Sequence, residues 1–196
     1  MDTVIPVEPH IKGLIFDCDG TLVDTMPIHI DAWCRTFAAH GIDCPDTFID
    51  EVKGRPAEQI VGLFNRRYQQ HLEPKSFAAM KNRLARRKLA EALPIEPVVA
   101  IARAYAGRLP MAVASGGTRA NVHLALESIG IRDWFVTVIT ADDAVRPKPD
   151  PGIYIEAARR MGISARLCQV FEDGDAGLEA ARRAGMTATD VRPYIG

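Results

Sequence analysis

Short apolar runs that stop at polar residues alternate with amphipathic stretches along most of this chain. Leu14, Ile15 and Phe16 form such a run and end abruptly at Asp17. A run of that length bounded by polar residues predicts a buried strand. Further strands are predicted at 111–114, ending in Ser115-Gly116-Gly117, at 136–139, at 169–171, ending in Glu172-Asp173, and at 187–191. Between them, helical periodicity covers 98–106, 119–129, 151–161 and 176–184, and Gly107, Gly130, Gly162 and Gly185 stand at the stops. Alternating strands and helices imply parallel pairing and right-handed crossovers. The expected fold class is therefore α/β, a three-layer, Rossmann-like parallel sheet.

One segment breaks the alternation. From Pro27 to about Leu93 the pattern is helical throughout. Pro27 suits a first helical turn, Ile30, Trp33, Cys34 and Phe37 fall at helical spacing, and Gly41 fits the stop. Ile60, Val61, Leu63, Phe64 and Tyr68 mark a second helix, and Phe77, Met80, Leu84, Lys88 and Leu89 a third. This block is too long for a crossover. It is expected to be a separate helical-bundle cap domain, residues 27–93, inserted into a core made of 1–26 and 94–196. Residues 1–12 read as a leader. The run Arg83, Arg86, Arg87, Lys88 reads as a solvated face, partly paired with Glu91.

Composition removes several function classes. Among 196 residues, Lys+Arg is 24 and Asp+Glu is 25, so no basic excess points to nucleic acid or an anionic membrane surface. No stretch is long and apolar enough to span a bilayer, and the N-terminus has no apolar targeting segment. Cys18, Cys34, Cys44 and Cys168 show neither C-x-x-C nor zinc spacing. A soluble protein in a reduced cytoplasmic compartment is expected, with a monomer as the default.

The chemistry collects at strand ends, where ligands bind in open parallel sheets. Asp17 and Asp19, two apart on extended chain, point to one side. Gly20 allows a sharp turn and a close approach. Paired carboxylates need a compensating cation, and dense oxygen ligands suit Mg²⁺. Ser115, Lys148 and the pair Glu172-Asp173 lie at three other strand ends. Together they match phosphoryl transfer, in which cations neutralise the phosphoryl group and a hydroxyl and backbone N–H groups hold its oxygens. One carboxylate can act as nucleophile and another as general acid and base.

D-C-D-G-T at 17–21, the serine after M-A-V-A, the lysine of R-P-K-P-D and V-F-E-D-G-D-A-G resemble the four motifs of the haloacid dehalogenase superfamily of phosphohydrolases. The helical insertion is similar to the cap of its β-phosphoglucomutase-like subgroup, and Asp24-Thr25 through His29 and Trp33 look like the hinge into that cap. The ending A-A-R-R-A-G-M with F-E-D-G-D resembles bacterial sugar phosphatases of the fructose-1-phosphate phosphatase type. The resemblance implies a Mg²⁺-dependent phosphatase acting on a small phosphorylated metabolite. It makes Asp17 the nucleophile and Asp19 the general acid/base. Mg²⁺ would be held by Asp17, the Asp19 carbonyl and Asp173, with Glu172 a ligand or the partner of one. Ser115 with Gly116 would bind the phosphoryl group, and Lys148 would pair with it and with Asp17. His29, Lys53 and Arg55 are candidates for the non-reacting part of the substrate.

There are departures. Gly174 replaces the usual small hydroxyl residue after the acidic pair, and Cys18 replaces an apolar one. The mutases carry an arginine four residues after the cap-loop lysine, where this chain has Ala57. A β-phosphoglucomutase-like isomerase is the alternative function. A non-catalytic Mg²⁺-dependent module like a receiver domain is a second alternative, opposed by Asp19 and the cap. Plainer roles are expected for Trp33 as cap core, Cys18 as a small buried group and Asp175 as a helix-start residue.

Overall fold

The computed structural model describes residues 5–43 and 46–195. The predicted strand-helix alternation is present. Strands β1 (Gly13–Phe16), β4 (Met111–Ala114), β5 (Thr137–Ile139), β6 (Cys168–Glu172) and β7 (Thr187–Asp190) form one five-stranded sheet in the order β5-β4-β1-β6-β7. Every pairing in it is parallel. β1 is therefore central, and all carboxyl ends emerge on one edge. Register puts them at one height, because Phe16 is opposite Val113 on one side and Phe171 on the other.

Strands β1, β4 and β6 are buried on both faces, as their apolar runs require, whereas the edge strand β7, Thr-Ala-Thr-Asp, is half-buried. Leu14 and Phe16 join Met111, Val113 and Phe171 on one face, packed against Val98, Val99, Val122 and Leu126 of helices α5 (Glu96–Tyr105) and α6 (Arg119–Ser128). Ile15, Ala112, Ala114 and Val170 point the other way, onto Ile153, Tyr154, Ala180 and Ala181 of α7 (Gly152–Met161) and α8 (Asp175–Arg183). This is the period-2 alternation of a strand read out as two core layers. The phenyl rings of Phe16 and Phe171 stack at 4.8 Å on neighbouring strands.

The helical block consists of α1 (Met26–Ala38), α2 (Asp46–Val52), α3 (Ala57–Tyr68) and α4 (Pro74–Arg86). Pro27 sits in the first turn of α1, as its fixed φ and missing N–H favour. These helices close around their own aromatic cluster, which includes Trp33, Phe37, Phe48, Phe64 and Phe77. The chain enters and leaves the block side by side, through an antiparallel pair of β2 (Val23–Asp24) with β3 (Leu93–Pro94).

Several details differ from expectation. The pair β2/β3 and helix α2 carry no strong periodicity and were not foreseen. The buried stripe of α4 runs through Phe77, Ala78, Lys81 and Ala85, while Met80 and Leu84 are only half-buried. Arg83, Arg86, Arg87 and Lys88 are exposed as expected, but Lys88 pairs with Asp31 at 3.0 Å. The N-terminal leader is strapped to the sheet: Ile5 and Ile11 are buried, and Gln169 of β6 donates to the Pro6 carbonyl and accepts from the Glu8 N–H. Cys18 and Cys168 are free and buried, Cys34 is disulfide-bonded and departs from the expectation of reduced thiols, and Cys44 lies outside the described residues. No helix among the described residues is long and apolar enough to cross a membrane.

Candidate active site

The chain leaves β1 at Asp17, whose N–H still bonds to the Phe171 carbonyl of β6 at 3.0 Å. This last sheet bond fixes the Asp17 backbone beside the end of β6. Lys148, in the loop after β5, reaches the same point from the other side. Its Nζ donates to Asp17 Oδ1 at 2.5 Å and to Glu172 Oε1 at 2.6 Å. The Tyr154 hydroxyl donates to the same Glu172 oxygen at 3.1 Å, and the Gly174 N–H to the other at 2.6 Å. Burial works against the Lys148 charge, but Asp17 and Glu172 outweigh it and hold its pKa above the ordinary value. Removing one member of such a buried cluster leaves an uncompensated charge, at a cost of about 3–5 kcal/mol. Gly177 makes room for Glu172, since a Cβ there would lie 1.7 Å from Oε1.

Asp19 lies in a second cluster, reached from the helical block. Its Oδ1 accepts from Thr25 Oγ1 at 2.6 Å and pairs with His29 Nε2 at 3.0 Å. Its Oδ2 accepts from Ser115 Oγ at 3.2 Å, and Ser115 Oγ in turn accepts the Gly117 N–H at 2.9 Å. On the far side of the imidazole, Lys81 Nζ lies 3.1 Å from His29 Nδ1. One arrangement satisfies both contacts: Nε2–H donates to Asp19 and Nδ1 accepts from the ammonium. Burial pushes the His29 pKa down, and Lys81 adds to the effect, which agrees with that neutral form. Burial also brings Lys81 down to about 8, against the pull of Asp19. For Asp19 itself burial raises the pKa, but His29, Thr25 and Lys81 together carry it below the usual carboxylate range.

Asp173 completes the acidic edge. Thr21 Oγ1 donates to its Oδ1 at 2.9 Å, and Lys53 Nζ, from the loop after α2, stands 3.3 Å from Oδ2. Gly20 passes close by with φ +86, and a Cβ there would meet Asp173 Oδ2 at 2.8 Å. Oxygens of Asp17, Glu172 and Asp173 lie within 4.8 Å of one another, all buried. Burial first, and then the neighbouring carboxylates, raise the pKa of both Asp17 and Asp173. A cation among them would relieve that repulsion, so hard oxygen donors and unbalanced charge make this a candidate metal site.

Above these groups a cavity of about 500 Å³ opens between the sheet edge and the helical block. Trp33, Ile49 and Ile60 give it an apolar wall, and Lys53, Arg55, Asn82, Asn121 and Asp142 give it polar ones. The block sits down on the sheet edge. A Cβ at Gly116 would lie 2.4 Å from the Gly54 carbonyl oxygen, and Asn121 donates across to the Asn82 carbonyl at 3.3 Å. The Nε of Arg55 is buried with no hydrogen-bond partner.

The residues singled out in the sequence thus converge. Asp17, Asp19, His29, Lys53, Arg55, Ser115 and Gly116 line the cavity, and Lys148, Glu172 and Asp173 lie directly against Asp17 or its neighbours. The plainer expectations hold too. Trp33 belongs to the aromatic cluster, Cys18 is buried, and Asp175 opens α8, where it pairs with Arg192. Lys81 was missed. Its signal was a charged residue at four-residue spacing between Phe77 and Ala85, on a stripe otherwise apolar. Tyr154 and Thr21 were missed because only the packed fold brings them to the carboxylates.

Residues 11–185 match the model of the haloacid dehalogenase-like hydrolases. The chain belongs to this family. Within it, the chain is 37% identical over 180 residues to the fructose-1-phosphate phosphatase YqaB of Escherichia coli, covering 92% of this chain and 96% of that one. Among solved structures, a hydrolase from Pseudomonas syringae superposes with a TM-score of 0.84 at 21% identity, covering 91% of this chain and 84% of that one. CbbY from Rhodobacter sphaeroides, in complex with xylulose-1,5-bisphosphate, gives 0.80 at 24% identity with the same coverage. The haloacid dehalogenase fold accounts for the sheet, and membership accounts for an enzyme of phosphatase type.

Proposed function

We propose that this chain is a Mg²⁺-dependent, cytoplasmic phosphatase of a small phosphorylated sugar, with residues 27–93 as a cap over the site. The observation that carries the reading is the placement of two carboxylates of different character at one strand end. Asp17 is gripped by Lys148 and turned toward the acidic edge, whereas Asp19 is hydrogen-bonded to Thr25, His29 and Ser115. The first suits a nucleophile and the second a proton carrier.

In the first half-reaction an Asp17 oxygen bonds to phosphorus, and the bond from phosphorus to the sugar oxygen breaks. Asp19 gives that oxygen its proton. The incoming phosphoryl charge raises the Asp19 pKa, which favours the protonated acid at that stage. In the second half-reaction Asp19, ionised, takes a proton from water. The water oxygen then bonds to phosphorus, the Asp17–phosphorus bond breaks, and inorganic phosphate leaves. Ser115 and Lys148 hold the phosphoryl oxygens. Asp17, Asp173 and the Asp19 carbonyl would hold Mg²⁺, which supplies charge neutralisation for the phosphoryl group. The oxygens of Glu172 already bond to Lys148, Tyr154 and Gly174, which supports Glu172 as the group that orients Lys148. Lys53 and Arg55, on the loop that seats against Gly116, face the non-reacting part of the substrate. Sugar specificity is supported by the relative that is a fructose-1-phosphate phosphatase. Hydrolysis is favoured over isomerisation because Ala57 stands where the mutases have an arginine.

Phosphate release from a panel of phosphorylated sugars tests this. Release is expected with Mg²⁺, should stop with EDTA, and should fall by at least ~10³-fold in Asp19→Ala, the range of a lost acid/base group. Unchanged turnover in that variant, or conversion of one sugar phosphate into another without phosphate release, would overturn it.

A further inference from the structure

The rim of the cavity beside Ser115 carries an arrangement that catalysis does not use. Helix α6 begins at Arg119, directly after the Ser115-Gly116-Gly117 turn, and its N-cap residue Thr118 makes no side-chain cap bond. Free N–H groups at such an end form a ready site for an anion. Here the place is already taken. Asp142, from the loop after β5, accepts the Arg119 N–H on Oδ2 at 2.8 Å, and Asp142 and Thr118 both line the cavity. The Arg119 side chain is also engaged, since its Nη2 donates to Asp143 at 2.9 Å. Asp143 is anchored by the Thr140 N–H and by Arg160, which fixes the loop that presents Asp142. The groups that could receive a second phosphoryl group on this wall, a helix N-terminus and an arginine, are thus each matched to an aspartate. On the cap side, Lys53, Arg55, Lys75 and Glu58 line the cavity.

We propose that Asp142 is a specificity-determining residue that restricts the site to monophosphates and rejects substrates with a second phosphoryl group. This rests on the sugar-phosphatase reading above. A structural neighbour of this chain holds a bisphosphate, so the fold alone imposes no such restriction. The physical basis is like-charge repulsion together with loss of the Arg119 N–H donor to the Asp142 carboxylate.

The test compares kcat/KM for a ketohexose 1-phosphate and its 1,6-bisphosphate in the wild type, Asp142→Ala and Asp142→Asn. Asparagine keeps an acceptor for the Arg119 N–H while removing the charge, so it remains informative if alanine weakens folding. The wild type is expected to favour the monophosphate at least tenfold. Either variant should narrow that ratio, alanine by tenfold or more, and added salt should narrow it in the wild type alone. A parallel measurement uses p-nitrophenyl phosphate as substrate and the bisphosphate as inhibitor, whose Ki should fall about tenfold in Asp142→Ala relative to that of inorganic phosphate. A wild type that hydrolyses both sugars equally, or a ratio unmoved by both substitutions, overturns the inference. Turnover of p-nitrophenyl phosphate without either sugar ester would refute the sugar reading instead, and the inhibition constants would still decide the role of Asp142.

Discussion

Lys81 offers a test in which stability and activity should move in opposite directions. It is a buried lysine of the helical block, 7% exposed, with its ammonium 3.1 Å from His29 Nδ1 and 5.2 Å from the centre of the Trp33 ring. Burial lowers its pKa from 10.5 to about 8. The unfolded chain therefore binds the proton more tightly than the folded one. Below pH 8 both forms carry the proton, and the folded state bears the full penalty. The gap between 10.5 and about 8 corresponds, at about 1.36 kcal/mol per pH unit, to a cost of roughly 3 kcal/mol. As pH rises from about 8 toward 10.5 the folded state alone sheds its proton, so the penalty fades and stability increases. Lys81→Met fills similar volume without the charge. It forfeits the His29 hydrogen bond and the contact with Trp33, which offset about 1 kcal/mol. The variant should be more stable at pH 7 by about 2 kcal/mol, or roughly 4–8 °C in Tm. The gain should pass through zero near about pH 10 and leave the variant up to about 1 kcal/mol less stable than the wild type above it. Its turnover should fall at least tenfold, because Asp19 loses a cation that holds it ionised and His29 loses the donor that fixes its ring. Urea denaturation across pH, paired with steady-state kinetics, measures both. A methionine variant less stable than the wild type at pH 7, or a stability gap independent of pH, would refute the reasoning.

Two glycines give further predictions. Gly177→Ala would put a Cβ 1.7 Å from Glu172 Oε1 and 2.1 Å from its Cδ, so the carboxylate must leave Lys148 and Tyr154. Stability should fall by about 3 kcal/mol and kcat by at least ~10²-fold, read by denaturation and phosphate release, and a crystal structure with Glu172 in place would contradict this. Gly116→Ala would meet the Gly54 carbonyl at 2.4 Å and keep the loop of Lys53 and Arg55 from seating. The ratio of kcat/KM for a sugar phosphate to that for p-nitrophenyl phosphate should drop about tenfold, while amide hydrogen exchange at 53–57 speeds up; an unchanged ratio would show that the seat is not needed.

The sequence by itself determined the sheet and the inventory of chemistry. Strands β1, β4, β5 and β6 are short, largely apolar runs that end at polar residues, because both faces of a parallel sheet are buried while its carboxyl ends carry the ligand-binding groups. That local rule placed Asp17, Asp19, Ser115, Lys148, Glu172 and Asp173 on one edge before any contact was known. It also marked residues 27–93 as a helical stretch, since the periodicity changes there from alternating elements to helix alone. What it could not supply is any relation set by packing between distant elements. Lys81 and His29 are 52 residues apart and meet only because α1 packs on α4. Asp142 reaches the start of α6 across 23 residues because β4 and β5 are neighbours in the sheet. The pairing of Val23–Asp24 with Leu93–Pro94 likewise joins segments too short to carry a period of their own. Local patterns encode which face of an element is buried. Which two buried or charged groups face one another depends on how the elements pack, and that the tertiary structure decided.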